Sequence, residues 1–166
     1  MIRIAASLAL AALLSLAACV DPADARVYSE AELSAFKIAD VTLDMDVAEA
    51  SKHLTSRQYV QDTTDPSPGI ATWKGPQNTI VTLQISAARK KVVAIGLSTP
   101  LPANTTIADI TKKVVPSLAD RFGEATEVKN AGEMVVMTYL TPAPGAGATA
   151  FTLRISKAGI DGRLGR

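Results

Sequence analysis

Few residues of this 166-residue chain could do chemistry, and they do not converge on a reaction centre. There is one histidine, His53, and one cysteine, Cys19. Catalysis by a single histidine needs an orienting partner and a nucleophile close by, whereas His53 follows Lys52 on the solvent-facing part of a predicted helix. Zinc asks for several Cys or His ligands, so no zinc site is expected. Asp44-Met45-Asp46 offers two oxygens to a hard cation, but no ligand loop follows. A strand end and a helix cap account for these aspartates better. Ser34-Ala35-Phe36-Lys37 spells Ser-x-x-Lys, a penicillin-binding-enzyme pattern, yet no Ser-Asp-Asn or Lys-Thr-Gly accompanies it. There is no G-x-S-x-G, no P-loop and no G-x-G-x-x-G. The expectation is a protein that is not an enzyme, with no catalytic residue, no metal and no cofactor.

Cys19 is the exception, because its surroundings point to modification. Arg3 supplies a positive start, Ile4 to Leu16 is an apolar run, and Leu16-Ala17-Ala18-Cys19 follows. This stretch resembles the signal peptide and lipobox of bacterial lipoproteins. The resemblance implies that residues 1–18 are removed and that the Cys19 thiol carries diacylglycerol, with further acylation, such as palmitate, on the new amine. A thiol is required because a thioether is the stable link to lipid. Two other readings remain: cleavage after Ala23-Asp24-Ala25, or an uncleaved anchor of marginal spanning length. Two or more acyl chains anchor stably where one does not. Val20, rather than Asp, follows Cys19, which favours the outer over the inner membrane.

Composition excludes further classes. Lys+Arg number 17 and Asp+Glu 16, and Arg3 lies in the leader, so the remainder is formally neutral. Nucleic acid binding, which needs a basic stripe, is not expected. No later apolar stretch reaches membrane-spanning length. With one Trp, three Tyr and three Phe, the core must be mainly Val, Ile, Leu and Ala.

Positioning elements follow from periodicity and capping. Residues 19–38 read as lipidated N-terminus and tether, with a Ser29–Glu32 capping box that could start a small helix. Residues 39–156 read as one α+β domain, and 157–166, rich in Gly and Arg, as a flexible tail. Within the domain, Ala39–Leu43 alternates as a short strand, and Asp46 caps a helix that buries Val47, Ala50 and Leu54 and ends near Arg57. Residues 62–69 make a loop. Ile70–Lys74, Thr79–Ser86 and Val92–Leu97 form a three-stranded meander. Thr106, with Asp109 three residues on, caps the main helix, whose face is Ile107, Ile110, Val114, Leu118 and Phe122. Pro116 predicts a kink or restart, and Gly123 a C-cap. Thr126–Lys129, Met134–Leu140 and Ala148–Ile155 are further strands, and Pro142–Gly147 a connector.

The order is a helix and meander, then a second helix and meander, readable as two divergent copies of one unit. Leu118-Ala-Asp-Arg-Phe-Gly123 followed by strands resembles the BamE/SmpA and β-lactamase-inhibitor-like small periplasmic proteins. That resemblance implies an antiparallel sheet with helices packed on one face, and a protein partner. Trp73, beside a Gly-Pro turn, is either a core residue, which is favoured, or an interface anchor. The expected function is a lipid-anchored, periplasm-facing interaction or scaffold module of the cell envelope. The alternative is a lipoprotein that binds a small molecule or lipid in an apolar cavity.

Overall fold

A computed structural model describes residues 26–64, 67–142 and 148–166. Cys19 and most of the Pro142–Gly147 connector lie outside the described residues. The fold is mixed α+β, built on a single eight-stranded antiparallel sheet. Two short helices come first, α1 (Glu30–Ser34) and α2 (Val47–Ser56), followed by β1 (Val60–Asp62), β2 (Ile70–Lys74), β3 (Ile80–Ser86) and β4 (Lys91–Pro100). Helices α3 (Ile107–Asp109) and α4 (Val115–Phe122) then precede β5 (Glu127–Ala131), β6 (Met134–Tyr139), β7 (Ala150–Ser156) and β8 (Gly159–Gly165). The sheet runs β1-β2-β3-β4-β8-β7-β6-β5, so the last strand of each group of four meets the other at its centre.

Register makes the alternation consistent across the sheet. One row crosses all eight strands through Gln61, Trp73, Val81, Leu97, Gly162, Leu153, Met137 and Val128. That face carries the buried side chains, including Leu83, Ile95, Leu164, Phe151, Ile155, Val135 and Tyr139. Leu33, Ala50, Leu54, Ile110 and Phe122 belong to the same cluster. Each fully buried Leu or Ile contributes about 1.5–3 kcal/mol of transfer free energy. The scarce aromatics are concentrated: Tyr28, Phe36, Phe122, Tyr139 and Phe151 form one group, with ring centroids 4.9–5.9 Å apart. Edge-to-face pairs such as Phe122–Phe151 add about 0.5–1.5 kcal/mol beyond buried area.

Local signals set the helices. Both capping boxes form, Ser29 with Glu32 and Thr106 with Asp109. Pro116 has no N–H to donate, and the chain passes through a π-helical turn, Ile110–Val114, before restarting as α4 with the proline in its first turn. Gly123 ends α4 at φ 85°, where a Cβ would also meet the Tyr28 hydroxyl at 2.8 Å.

Four expectations are corrected. Ala39–Leu43 is not a strand: Ala39 and Asp40 turn at φ 52° and 66°, and Ile38 and Val41 exchange two 3.0 Å backbone hydrogen bonds. The first meander has four strands, because Val60–Asp62 pairs with β2; three mostly exposed residues give too short a pattern to read. Residues 28–38 are not a tether outside a 39–156 domain. Tyr28, Leu33 and Ile38 are buried in the core, and the Tyr28 amide donates to Leu140 at 3.0 Å. Residues 157–166 are not a flexible tail, since β8 is a central strand paired on both sides. Its glycines lowered its apparent β-propensity, yet a Cβ on Gly162 would lie 2.8 Å from Leu153 Cδ2. Glycine is there because neighbouring side chains close over it.

Candidate functional site

The second face of the eight-stranded sheet is not used by the core. Because side chains alternate, every residue flanking the buried row points to it. One row across this face runs Val60, Lys74, Ile80, Ser98, Asp161, Arg154, Val136, Lys129. The next runs Asp62, Thr72, Thr82, Gly96, Arg163, Thr152, Thr138, Glu127. Threonines and small residues line its middle, with charges spaced between them.

The face is structured. Ser98 Oγ donates to Asp161 Oδ1 at 2.8 Å across the central β4–β8 seam. Lys74 Nζ lies 2.8 Å from Asp62, and Lys129 Nζ 2.8 Å from Glu127, one ion pair near each edge. The Lys74 ammonium and then the Thr64 hydroxyl hold the Asp62 carboxyl well below the usual carboxylate range. These exposed pairs add little stability, but they fix where charge sits. Between them a depression of about 200 Å3 is lined by Ile70, Thr82, Gln84, Ala94, Gly96 and Arg163. Val60, Ile70 and Ile80, all on this face in the first half, are exposed by 71%, 47% and 36%. The arrangement offers hydroxyls, two kinds of charge and exposed aliphatics on a rigid support, which suits recognition of a surface.

Of the described residues singled out in sequence, Trp73, His53, Asp44 and Asp46, none lies on this face. Trp73 is 4% exposed on the opposite, core-facing side, as the core reading expected. Its indole Nε1 has no partner among the described residues. His53 is partly exposed on α2, with Nε2 3.8 Å from Glu49. Asp46 sits at the N-cap position of α2 without capping it through its side chain, and pairs with Lys91 at 3.0 Å. Asp44 pairs with Arg166 at 3.1 Å. Among the described residues no three His, Cys, Asp or Glu side chains group to hold a metal, and no helix is long and apolar enough to cross a membrane. The face residues Thr82, Gln84, Thr152 and Arg154 were visible as the polar half of alternating strands. That β4 and β8 join them into one surface was not.

No family model matches the chain, and no curated protein or solved structure matches it either.

Proposed function

We propose that this chain is a non-enzymatic, lipid-anchored interaction module of the bacterial cell envelope, facing the periplasm, whose open sheet face docks another envelope protein. In this reading Cys19 carries the lipid and the outer membrane holds the anchor. The observation that carries the docking role is the eight-stranded face with its exposed Val60, Ile70 and Ile80 beside a Gly96-floored depression. In this reading the helices cover the other face; each half has two helices followed by four strands, and the halves meet at the β4–β8 seam. Those features support reading the chain as two divergent helix-plus-meander units, in keeping with the resemblance to BamE/SmpA-like and β-lactamase-inhibitor-like proteins. A ligand-enclosing lipoprotein is less favoured, because Tyr28, Phe36, Phe122, Tyr139 and Phe151 occupy the space where a chamber between helices and sheet would form.

The test is crosslinking in intact cells from a photoreactive residue at Thr82, with and without Gly96→Arg. A Cβ at Gly96 meets Thr82 only at 3.5 Å, so the substitution fills the depression without forcing the backbone. One envelope protein captured by the parent and lost with Gly96→Arg is expected. Capture of no protein, or capture indifferent to Gly96→Arg, overturns the docking role. Separately, Cys19→Ser should release the chain from washed membranes. Retention in the membrane fraction would refute the anchor.

A further inference from the structure

On the helix side of the sheet, away from the open face, two adjoining clefts of about 420 and 440 Å3 share the side chains of Arg57 and Arg121. Arg57 is the C-cap of α2 and Arg121 lies in the last turn of α4, so the two halves of the chain each bring one guanidinium to the same place. Lys37 lines the second cleft. Asp40, the carboxylate there, is paired with Arg57. Arg121 has no carboxylate partner among the described residues; its guanidinium stacks over the Phe122 ring at 5.1 Å. A basic residue at a helix C-terminus complements the helix dipole. The dipole does not require both side chains to line one cleft, nor a lysine beside them.

The remaining walls can donate hydrogen bonds. The Tyr59 hydroxyl is a donor at neutral pH, its pKa raised further by burial against the opposing pull of Arg121 and Arg57, and its ring rests on Gly75, where a Cβ would approach it to 2.3 Å. Thr99 Oγ1 lies 3.4 Å from Thr79 Oγ1 on the sheet below. The backbone around the cleft is unusual. Ala39, Asp40, Gln58, Gln77 and Asn78 all have positive φ, between 52° and 66°, and apart from the glycines only Asp44 and Lys90 share this among the described residues. Such conformations gather where surrounding structure holds a site in shape.

We infer that this cleft binds a phosphate dianion, free or as a phosphomonoester group, between Arg57 and Arg121. Three cations offset by Asp40 leave a charge that a dianion neutralises, and planar guanidiniums bind such oxygens two at a time. Phe36, half-buried in the cleft wall, gives the apolar body of a monoester a surface to lie on. The site is independent of the open sheet face and of any partner there.

The experiment uses the full chain in three arms. Thermal unfolding is followed with inorganic phosphate, with glycerol phosphate, and with sodium chloride at matched ionic strength; sedimentation is followed with phosphatidylcholine vesicles containing or lacking phosphatidic acid. Phosphate and glycerol phosphate should raise the melting temperature above the chloride control, and Arg121→Gln should remove at least tenfold of the affinity. Arg121→Lys should retain part of it, and Lys129→Gln, at the sheet edge, all of it. Circular dichroism checks that each variant is folded. Binding in solution identifies a soluble phosphate as sufficient, whereas phosphatidic-acid-dependent sedimentation lost in Arg121→Gln, without a response to soluble phosphate, assigns the site to a headgroup. Phosphate no better than chloride together with no phosphatidic acid dependence, or binding unchanged in Arg121→Gln, overturns the inference.

Discussion

Glu30 and Thr149, 119 positions apart, form one clasp. The Glu30 carboxylate accepts the Thr149 amide at 3.1 Å and also its hydroxyl, and Arg166 Nε donates to the same carboxylate at 3.3 Å. The first helix, the approach to β7 and the last residue are thereby joined. Thr149 is 1% exposed, so its hydroxyl has no water to fall back on. Thr149→Val should cost about 1.5–3 kcal/mol, the usual result of losing a hydrogen bond to a charged group. Chemical denaturation at neutral pH measures it.

The same clasp sets a pH dependence. Hydrogen bonding from Thr149, opposed by desolvation and aided by Arg166, lowers the Glu30 pKa. A lowered folded-state pKa means that the stabilisation is fully present above the ordinary carboxylate value and is lost as pH falls through the folded one. Glu30→Gln should therefore be less stable than the parent at neutral pH, and the gap should close below pH about 4. A gap independent of pH would refute the assignment.

Trp73 is the chain's one tryptophan, so its fluorescence reports on a single place. Its burial predicts blue-shifted emission that resists iodide quenching. Trp73→Phe removes an indole N–H that has no partner, which offsets the lost contacts, and should change stability by about 1 kcal/mol or less. Trp73→Ala should cost about 3–5 kcal/mol. Equal effects of the two substitutions in denaturant titrations would show that the indole is satisfied after all.

Deleting residues 159–166 should abolish cooperative unfolding, because it removes the strand that joins both halves of the sheet. Gly162→Leu should act in the same direction, given the 2.8 Å approach of Leu153. A truncated chain that still melts in one sharp transition would mean that β8 is dispensable.

The phase of the second helical region can be read from two positions. Ile110 is fully buried and Leu118 only partly so. Ile110→Ala should cost about 2–5 kcal/mol and Leu118→Ala clearly less. Leu118→Asp should lower the melting temperature, and Ile110→Asp should prevent folding. The reverse order in thermal melts would shift the helix by part of a turn.

What the sequence by itself determined is what short stretches decide alone. Ser29–Glu32 and Thr106–Asp109 cap helices because a side chain and an amide three residues apart are enough. Val81, Leu83 and Ile85 alternate with Thr82, Gln84 and Ser86 because a strand needs only its own pleat to sort its faces. Pro116 removes one helix hydrogen bond wherever that helix is placed, and here a π-helical turn precedes it. Tertiary structure decided the rest. Strand order depends on which edges meet, and nothing near Gly159–Gly165 announces that Leu97 and Leu153 will flank Gly162. Tyr28 looks like a linker residue until Phe36 and Tyr139 surround it. Arg57 and Arg121 are ordinary helix ends in the sequence, and only the joining of the two halves at β4 and β8 brings them to one cleft. Contacts between residues far apart in the chain depend on the register of the whole sheet, which no local pattern encodes.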